Sequence, residues 1–293
     1  MSAADDDAGR VADRPVRLRL RHRTEFAYDQ PVAGSFNESR TTPLTDARQT
    51  VLSSRTAIEP VTWTHTYTDY WGTEVTAFEV LTRHRRLVVT STALVDVRPS
   101  SPAGDCGWDE LRERSTRDAL AEWVAVGEHT EPGEELRGLA SAVLAEHASP
   151  AETAREVCGI VHRTVEYVPG ATGVHTRAVE AWDQRKGVCQ DLAHLAVGAL
   201  RGVGVPARYV SGYLHPSADA PVGETVLGES HAWVEWWAGG WHGWDPTHDG
   251  PVGSLHVTVG RGREYHDVSP VRGIVSGAST STLTAQVEVT REA

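Results

Sequence analysis

The segment RKGVCQDLAHL, residues 185–195, decides how the rest of the chain is read. A glycine and a cysteine precede an apolar run that stops at Gly202-Val-Gly204-Val-Pro206, where glycine supplies a helix C-cap and proline bars continuation. The pattern predicts a helix that begins at Val188 or Cys189, with Cys189 in its first turn. There the thiol meets unpaired backbone N–H groups and the positive end of the helix dipole, which favour thiolate, the nucleophilic form. Arg185 and Lys186 add positive potential just upstream, while Asp191 partly opposes it. The same N–H groups suit an oxyanion formed on a carbonyl, and Gly187 would let a substrate backbone come close. A lone cysteine is equally a small packing residue, so its role depends on partners elsewhere.

Residues 229–249, ESHAWVEWWAGGWHGWDPTHD, offer two. Aromatic and β-branched flanks around Ala238-Gly239-Gly240 read as a β-hairpin. A three-residue loop at 238–240 pairs His231 with Thr247 and Trp233 with Asp245. Asp245 then shares a face with His231, within the roughly 7–8 Å diagonal reach of neighbouring strands. A two- or four-residue loop would turn Asp245 to the opposite face. In the three-residue register the carboxylate bonds one ring nitrogen and the other can face the thiol, as a Cys-His-Asp site requires. Taken singly, each part has a plainer use. The chain has 14 histidines, Asp245 before Pro246 can simply start a turn, and the tryptophans at 233, 236, 237, 241 and 244 suit a core. Zinc is the rival use of these residue types. Cys189 and His194 do not share a helical face well, and no HExxH or paired CxxC completes a tetrahedral set, so neither metal nor cofactor is expected. The glycines at 202 and 204 end a helix instead of opening one, which excludes a phosphate loop.

Around this segment the chain divides into a β-rich half and a helix-then-strand half, an α+β protein. Val16, Leu18 and Leu20 alternate with Arg17, Arg19 and Arg21, a half-buried strand. β-rich runs recur at 50–58, 61–67, 75–81 and 86–97, so residues 15–98 read as an antiparallel β-sandwich. Residues 1–14 are acidic and polar, without the apolar stretch of a signal peptide, and read as a disordered tail; residues 99–107 read as a linker. Residues 108–293 form the second unit, with C-terminal strands. Within it Leu136, Leu139, Ala140, Val143 and Leu144 share a helix face, and Ser149-Pro150-Ala151-Glu152 is a capping signal for a helix burying Val157, Ile160, Val161 and Val165.

Composition narrows the function. Residues 1–98 carry 13 arginines against 13 acidic residues, so the whole net charge of −12 falls on the remainder, which argues against nucleic acid as a partner. Three widely spaced cysteines argue against a disulfide framework and for a reducing, cytoplasmic setting. The most apolar stretch is too short to span a membrane.

GVCQDLAHLAVGALRGVGVPARYVSGYL, SHAWVEWW and GWDPTHD together resemble the transglutaminase-like core of bacterial proteins in the transglutaminase superfamily. The first hundred residues, with LRHRTEFAYDQPVAGSFNESR and RHRRLVVTSTALVDVRP, resemble the bacterial transglutaminase-like N-terminal domain. The resemblance implies a papain-like or transglutaminase-like α+β core in which Cys189 is the nucleophile, His231 the base and Asp245 its orienting group. It also implies attack on a peptide, isopeptide or glutamine amide through a thioester, with a protein or peptide as substrate. Hydrolysis is the expected outcome. Transfer to an amine, and a non-catalytic binding protein that keeps the fold, are the alternatives. Tyr167 is a candidate oxyanion donor by residue type. No acidic run resembles a calcium loop.

Overall fold

The computed structural model describes residues 15–99, 104–217, 220–228, 230–277 and 280–293, so the expected tail at 1–14 and residues 100–103 of the expected linker lie outside it. The architecture is α+β and, apart from one short parallel pair, its sheets are antiparallel.

One strand organises the β-rich half. In β1 (Val16–Val32) Val16, Leu18, Leu20, His22 and Thr24 are buried, while Arg17 and Arg21 reach Asp96 and Glu288 on neighbouring strands and Arg19 reaches Glu292 just beyond one of them. It lies between β6 (His84–Val97) and β16 (Ser281–Arg291), in a sheet completed by β3 (Gln49–Glu59) beyond β6 and β10 (Thr225–Gly228) beyond β16. A second sheet runs β15 (Val271–Ser276), β2 (Gly34–Ser39), β5 (Glu74–Val80), β4 (Trp63–Thr68). The buried side of β1 serves two cores. Tyr28 and Val32 pack with Phe78 and Val80 of β5 and Leu87 and Val89 of β6, closing a sandwich. Val16, Leu18 and Leu20 pack instead with Tyr213, Val257 and Val259 from the other half of the molecule.

Strand pairing corrects the expected boundary. Residues 271–276 and 281–291, assigned above to the second unit, hydrogen-bond to β2 and β1 and complete the N-terminal sheets. Chain order does not reveal this, because β1 and β16 meet over some 270 residues: Leu18 pairs with Arg291.

The other half is layered. Its helices are α1 (Trp108–Arg112), α2 (Arg114–Leu120), α3 (Gly133–Glu146), α4 (Pro150–Thr164), α5 (Ala178–Gln184) and α6 (Cys189–Gly202). The capping box at Ser149 forms as expected: its Oγ accepts the Glu152 N–H at 3.2 Å and Glu152 Oε2 accepts the Ser149 N–H at 3.3 Å. Helix α6 is buried almost throughout. It packs on α3, α4 and α5 and on two strands of the sheet β13 (Gly250–Pro251), β12 (Trp241–Asp245), β11 (Ser230–Trp237), β9 (Ala207–Leu214), β14 (His256–Gly262). Near-complete burial demands small residues, and Gly198 shows why: a Cβ there would lie 1.6 Å from the Thr130 carbonyl oxygen.

Candidate active site

The helix start is set by its own residues. Val188 is extended, with φ −110° and ψ 178°, Cys189 takes the first helical position, and the Val188 N–H donates to Asp191 Oδ2 at 2.8 Å. Thr172 donates to the same oxygen. Asp191 is fully buried, and burial pushes its carboxyl pKa up against these hydrogen bonds. At Gly187 a Cβ would stand 2.8 Å from Cβ of Asp191, so glycine lets the cap fold back. Just before it, β8 (Lys186–Gly187) pairs in parallel with β7 (Glu166–Tyr167), which brings Tyr167 to the same opening.

The hairpin has the expected register. Trp237 faces Trp241 across a three-residue loop, and Val234 faces Trp244. Asp245 is therefore diagonal to His231 and on its side of the sheet. His231 Nε2 donates to Asp245 Oδ2 at 2.7 Å, which leaves Nδ1 for the sulfur. The Cys189 thiol is 4.0 Å from the Ser230 carbonyl oxygen and lines one cleft with His231, near enough for the two side chains to interact. All three expected residues thus converge. A cleft of about 270 Å³ opens on Cys189 and His231, walled by Tyr167, Val174, Gln190, Tyr209, Tyr265 and Pro270, with Asp245 buried behind the ring.

Two histidines that sequence reasoning passed over complete the surroundings of Asp245. His248 Nδ1 donates to Oδ2 at 2.8 Å and His256 Nε2 at 3.3 Å, while Oδ1 accepts the Thr247 N–H at 2.8 Å. His256 arrives on β14, opposite Leu214 of β9, a placement no local pattern announces. His248 was within reach of sequence reasoning, since it follows Asp245 by three residues in one turn. Its partner fixes the His256 tautomer: Nδ1 accepts the Gly253 N–H, so Nε2 carries the proton, and burial keeps this ring neutral.

Burial separates the three cysteines. Burial, aided by Glu110 and Asp105, raises Cys106 to about 11, and burial drives Cys158 upward as well. Both lie in the core, whereas Cys189 is only half-buried. For His231, burial disfavours the charged ring, but the hydrogen bond to Asp245 and the contact with Cys189 outweigh it and raise the pKa to about 10. Asp245 is the reverse. Burial favours its neutral form, yet the hydrogen bonds from His231, His248 and His256 hold it well below the usual carboxylate range. A ring that keeps its proton at neutral pH therefore lines the cleft beside the sulfur. His231, Asp245 and His248 also place ligand atoms within 4.8 Å of one another, so a soft divalent ion would compete for the imidazole.

Comparison with known proteins fits this geometry. Residues 18–96 match the bacterial transglutaminase-like N-terminal region and residues 137–246 the transglutaminase-like superfamily. The chain is 40% identical over 276 residues to the uncharacterized protein ML0607 of Mycobacterium leprae, covering 94% of this chain and 99% of that one. It is 32% identical over 151 residues to a protein-glutamine gamma-glutamyltransferase of Pseudomonas aeruginosa, covering 48% of this chain and 22% of that protein. In fold it is similar to the crystal structure of a "Putative Cysteine Protease" from Cytophaga hutchinsonii, with a TM-score of 0.75 over 94% of this chain and 91% of the other at 20% identity. The family that the cysteine helix and the hairpin resembled is the one these matches return: the chain belongs to the transglutaminase-like superfamily and carries the bacterial transglutaminase-like N-terminal region.

Proposed function

We propose that this protein is a cysteine-dependent acyl-transfer enzyme, in which Cys189 is the nucleophile, His231 the acid–base and Asp245 the group that orients His231. The observation that carries this reading is a half-buried thiol at the first position of a buried helix, sharing a cleft with an imidazole that is hydrogen-bonded to a buried carboxylate.

The chemistry is written for an amide. The Cys189 thiolate attacks the carbonyl carbon, and the oxyanion gathers at the first N–H groups of α6, which have no partner inside the helix. Protonated His231 gives its proton to the leaving nitrogen, the C–N bond breaks, and a thioester remains. Water then loses a proton to His231 as it attacks the thioester, the C–S bond breaks, and the acid departs with the thiolate and protonated His231 restored. An amine in place of water would give a transferase product, the reading favoured by similarity to the gamma-glutamyltransferase. Hydrolysis is the preferred reading because water requires no second binding surface. The cleft of about 270 Å³ falls below the roughly 300–1,000 Å³ of ligand-sized pockets, so it suits one residue-sized acyl group of a protein or peptide. Tyr167, at the rim, remains the proposed side-chain oxyanion donor.

The proposed compartment is the cytoplasm, supported by the three free thiols; no helix among the described residues is long and apolar enough to cross a membrane. Mass spectrometry of peptide libraries, incubated with and without added amines, tests the reaction. A cut chain or a glutamine converted to glutamate supports hydrolysis, and an amine adduct supports transfer. No product with any substrate, from protein whose Cys189 is reduced and reachable by alkylating agents, would overturn the enzymatic reading.

A further inference from the structure

Among the described residues, a second set of metal-capable side chains lies apart from the catalytic three: His129, Glu264 and His266. These come from two turns far apart in sequence, which is why no spacing motif exposed them. One donor atom from each lies within 4.8 Å of the other two. His129 Nδ1 and His266 Nδ1 each stand 3.4 Å from Glu264 Oε1. Zinc bonds of roughly 2.0–2.2 Å at tetrahedral angles put neighbouring donor atoms about 3.3 Å apart, so both distances are those of a tetrahedral edge.

A second observation points the same way. His266 Nδ1 is enclosed and has no hydrogen-bond partner, because its approach to Glu264 has the distance but not the direction of a hydrogen bond. The two imidazoles stand with ring centroids 4.5 Å apart. A buried, unbonded ring nitrogen is costly unless something else uses its lone pair. Both turns are also held in place. Thr130 Oγ1 accepts the Gly127 N–H at 3.0 Å, and the Thr130 carbonyl sits against Gly198 of α6. In the other turn, Asp267 Oδ2 accepts the Arg263 N–H at 2.8 Å, and the Tyr265 N–H donates to His194 Nε2 of α6 at 3.0 Å. Arg201 and Arg263 lie near enough to interact with Glu264, but Arg201 is committed to the carbonyls of Ala125, Ala207 and Arg263, and Arg263 is paired with Asp267.

We propose that His129, Glu264 and His266 bind a divalent transition metal of the zinc class, which ties the 127–130 turn to the 264–267 turn beside the cleft. Two imidazoles and a carboxylate form a borderline donor set that zinc accepts readily, with the fourth position left to water. The ion would brace Tyr265, which walls the cleft, against the helix that carries Cys189. The proposal stands whether or not Cys189 is catalytic.

Zinc titration of the full chain by calorimetry tests it, with Cys189→Ala as background so that the one thiol that is not buried does not contribute. One ion is expected to bind, and the melting temperature is expected to rise with zinc concentration. His129→Ala with His266→Ala should weaken that event at least about tenfold, as losing metal-site partners does. Glu264→Gln, which keeps the shape of the turn, should weaken it too. His248→Ala should leave it intact while removing any second event at Asp245. The proposal fails if no zinc binds, or if binding survives the His129 and His266 changes but disappears with His248→Ala.

Discussion

Two buried carboxylates stand on one sheet and have opposite neighbours. Asp245 is enclosed by three imidazoles. Glu235, on the same strand as His231 and four residues on, is enclosed by two guanidiniums: Arg208 at 2.5 Å and Arg261 at 2.9 Å, with Arg261 also reaching Asp46. Burial pushes the Glu235 carboxyl up, but Arg261 and Arg208 overcome it and hold the pKa at about 2. Arginine keeps its charge at any pH the fold survives, so the Glu235 cluster is a fixed lock across β9, β11 and β14. Imidazole gives up and takes back its proton, so the Asp245 cluster can work on substrate. One sheet thus separates support from chemistry by the choice of cation.

The comparison is most sharply tested at Asp245. Asp245→Asn keeps the shape and removes the charge, so His231 loses its main support for the protonated form. Turnover should fall by about 10²–10⁴-fold, with little loss of folded protein, as seen by activity assay and circular dichroism. Glu235→Gln should do the converse. Two buried arginines lose their partner, and stability should drop by about 3–5 kcal/mol in denaturant melts while the folded fraction turns over at the original rate. If Glu235→Gln instead lowered turnover without lowering stability, the division of labour would be wrong.

Proton linkage supplies a smaller effect with two limbs. Burial depresses His22 to about 4 and His194 to about 3, below their ordinary value of 6.5. These rings bind protons in the unfolded chain before they do so in the folded one. Their contribution is full above pH 6.5 and is lost as pH falls toward 4 and 3, at up to about 1.4 kcal/mol per unit for each ring. His231 is raised, so its contribution is full below pH 6.5 and is lost as pH climbs through about 10. Melts across pH should show a maximum near pH 6.5, where the two limbs meet, and His231→Ala should flatten only the alkaline one. The smallest change is expected at His248, whose side chain is 60% exposed. His248→Ala should alter turnover by less than about tenfold, because exposed charge pairs contribute about 1 kcal/mol or less.

How much of this was legible follows from range. The start of α6, the capping box at Ser149 and the hairpin register are local, and each can be read from fewer than twenty consecutive residues. The pairing of β16 with β1 is not local, and its alternation looks the same whichever sheet receives it. His256 and the trio of His129, Glu264 and His266 were illegible for the same reason: only the fold brings them to their partners. At Gly187 the sequence suggests room for a substrate, and only the fold reveals that the missing Cβ also makes room for the Asp191 cap.

The central claim is that the sulfur of Cys189 is chemically distinct from that of its two buried counterparts because of the charged ring at its side. Alkylation by iodoacetamide, followed site by site across pH, measures this directly. The account predicts that Cys189 is labelled faster than free cysteine at neutral pH, that Cys106 and Cys158 stay nearly unlabelled in the folded protein, and that His231→Ala removes the advantage. Labelling of Cys189 no faster than free cysteine, or unchanged by His231→Ala, would contradict it.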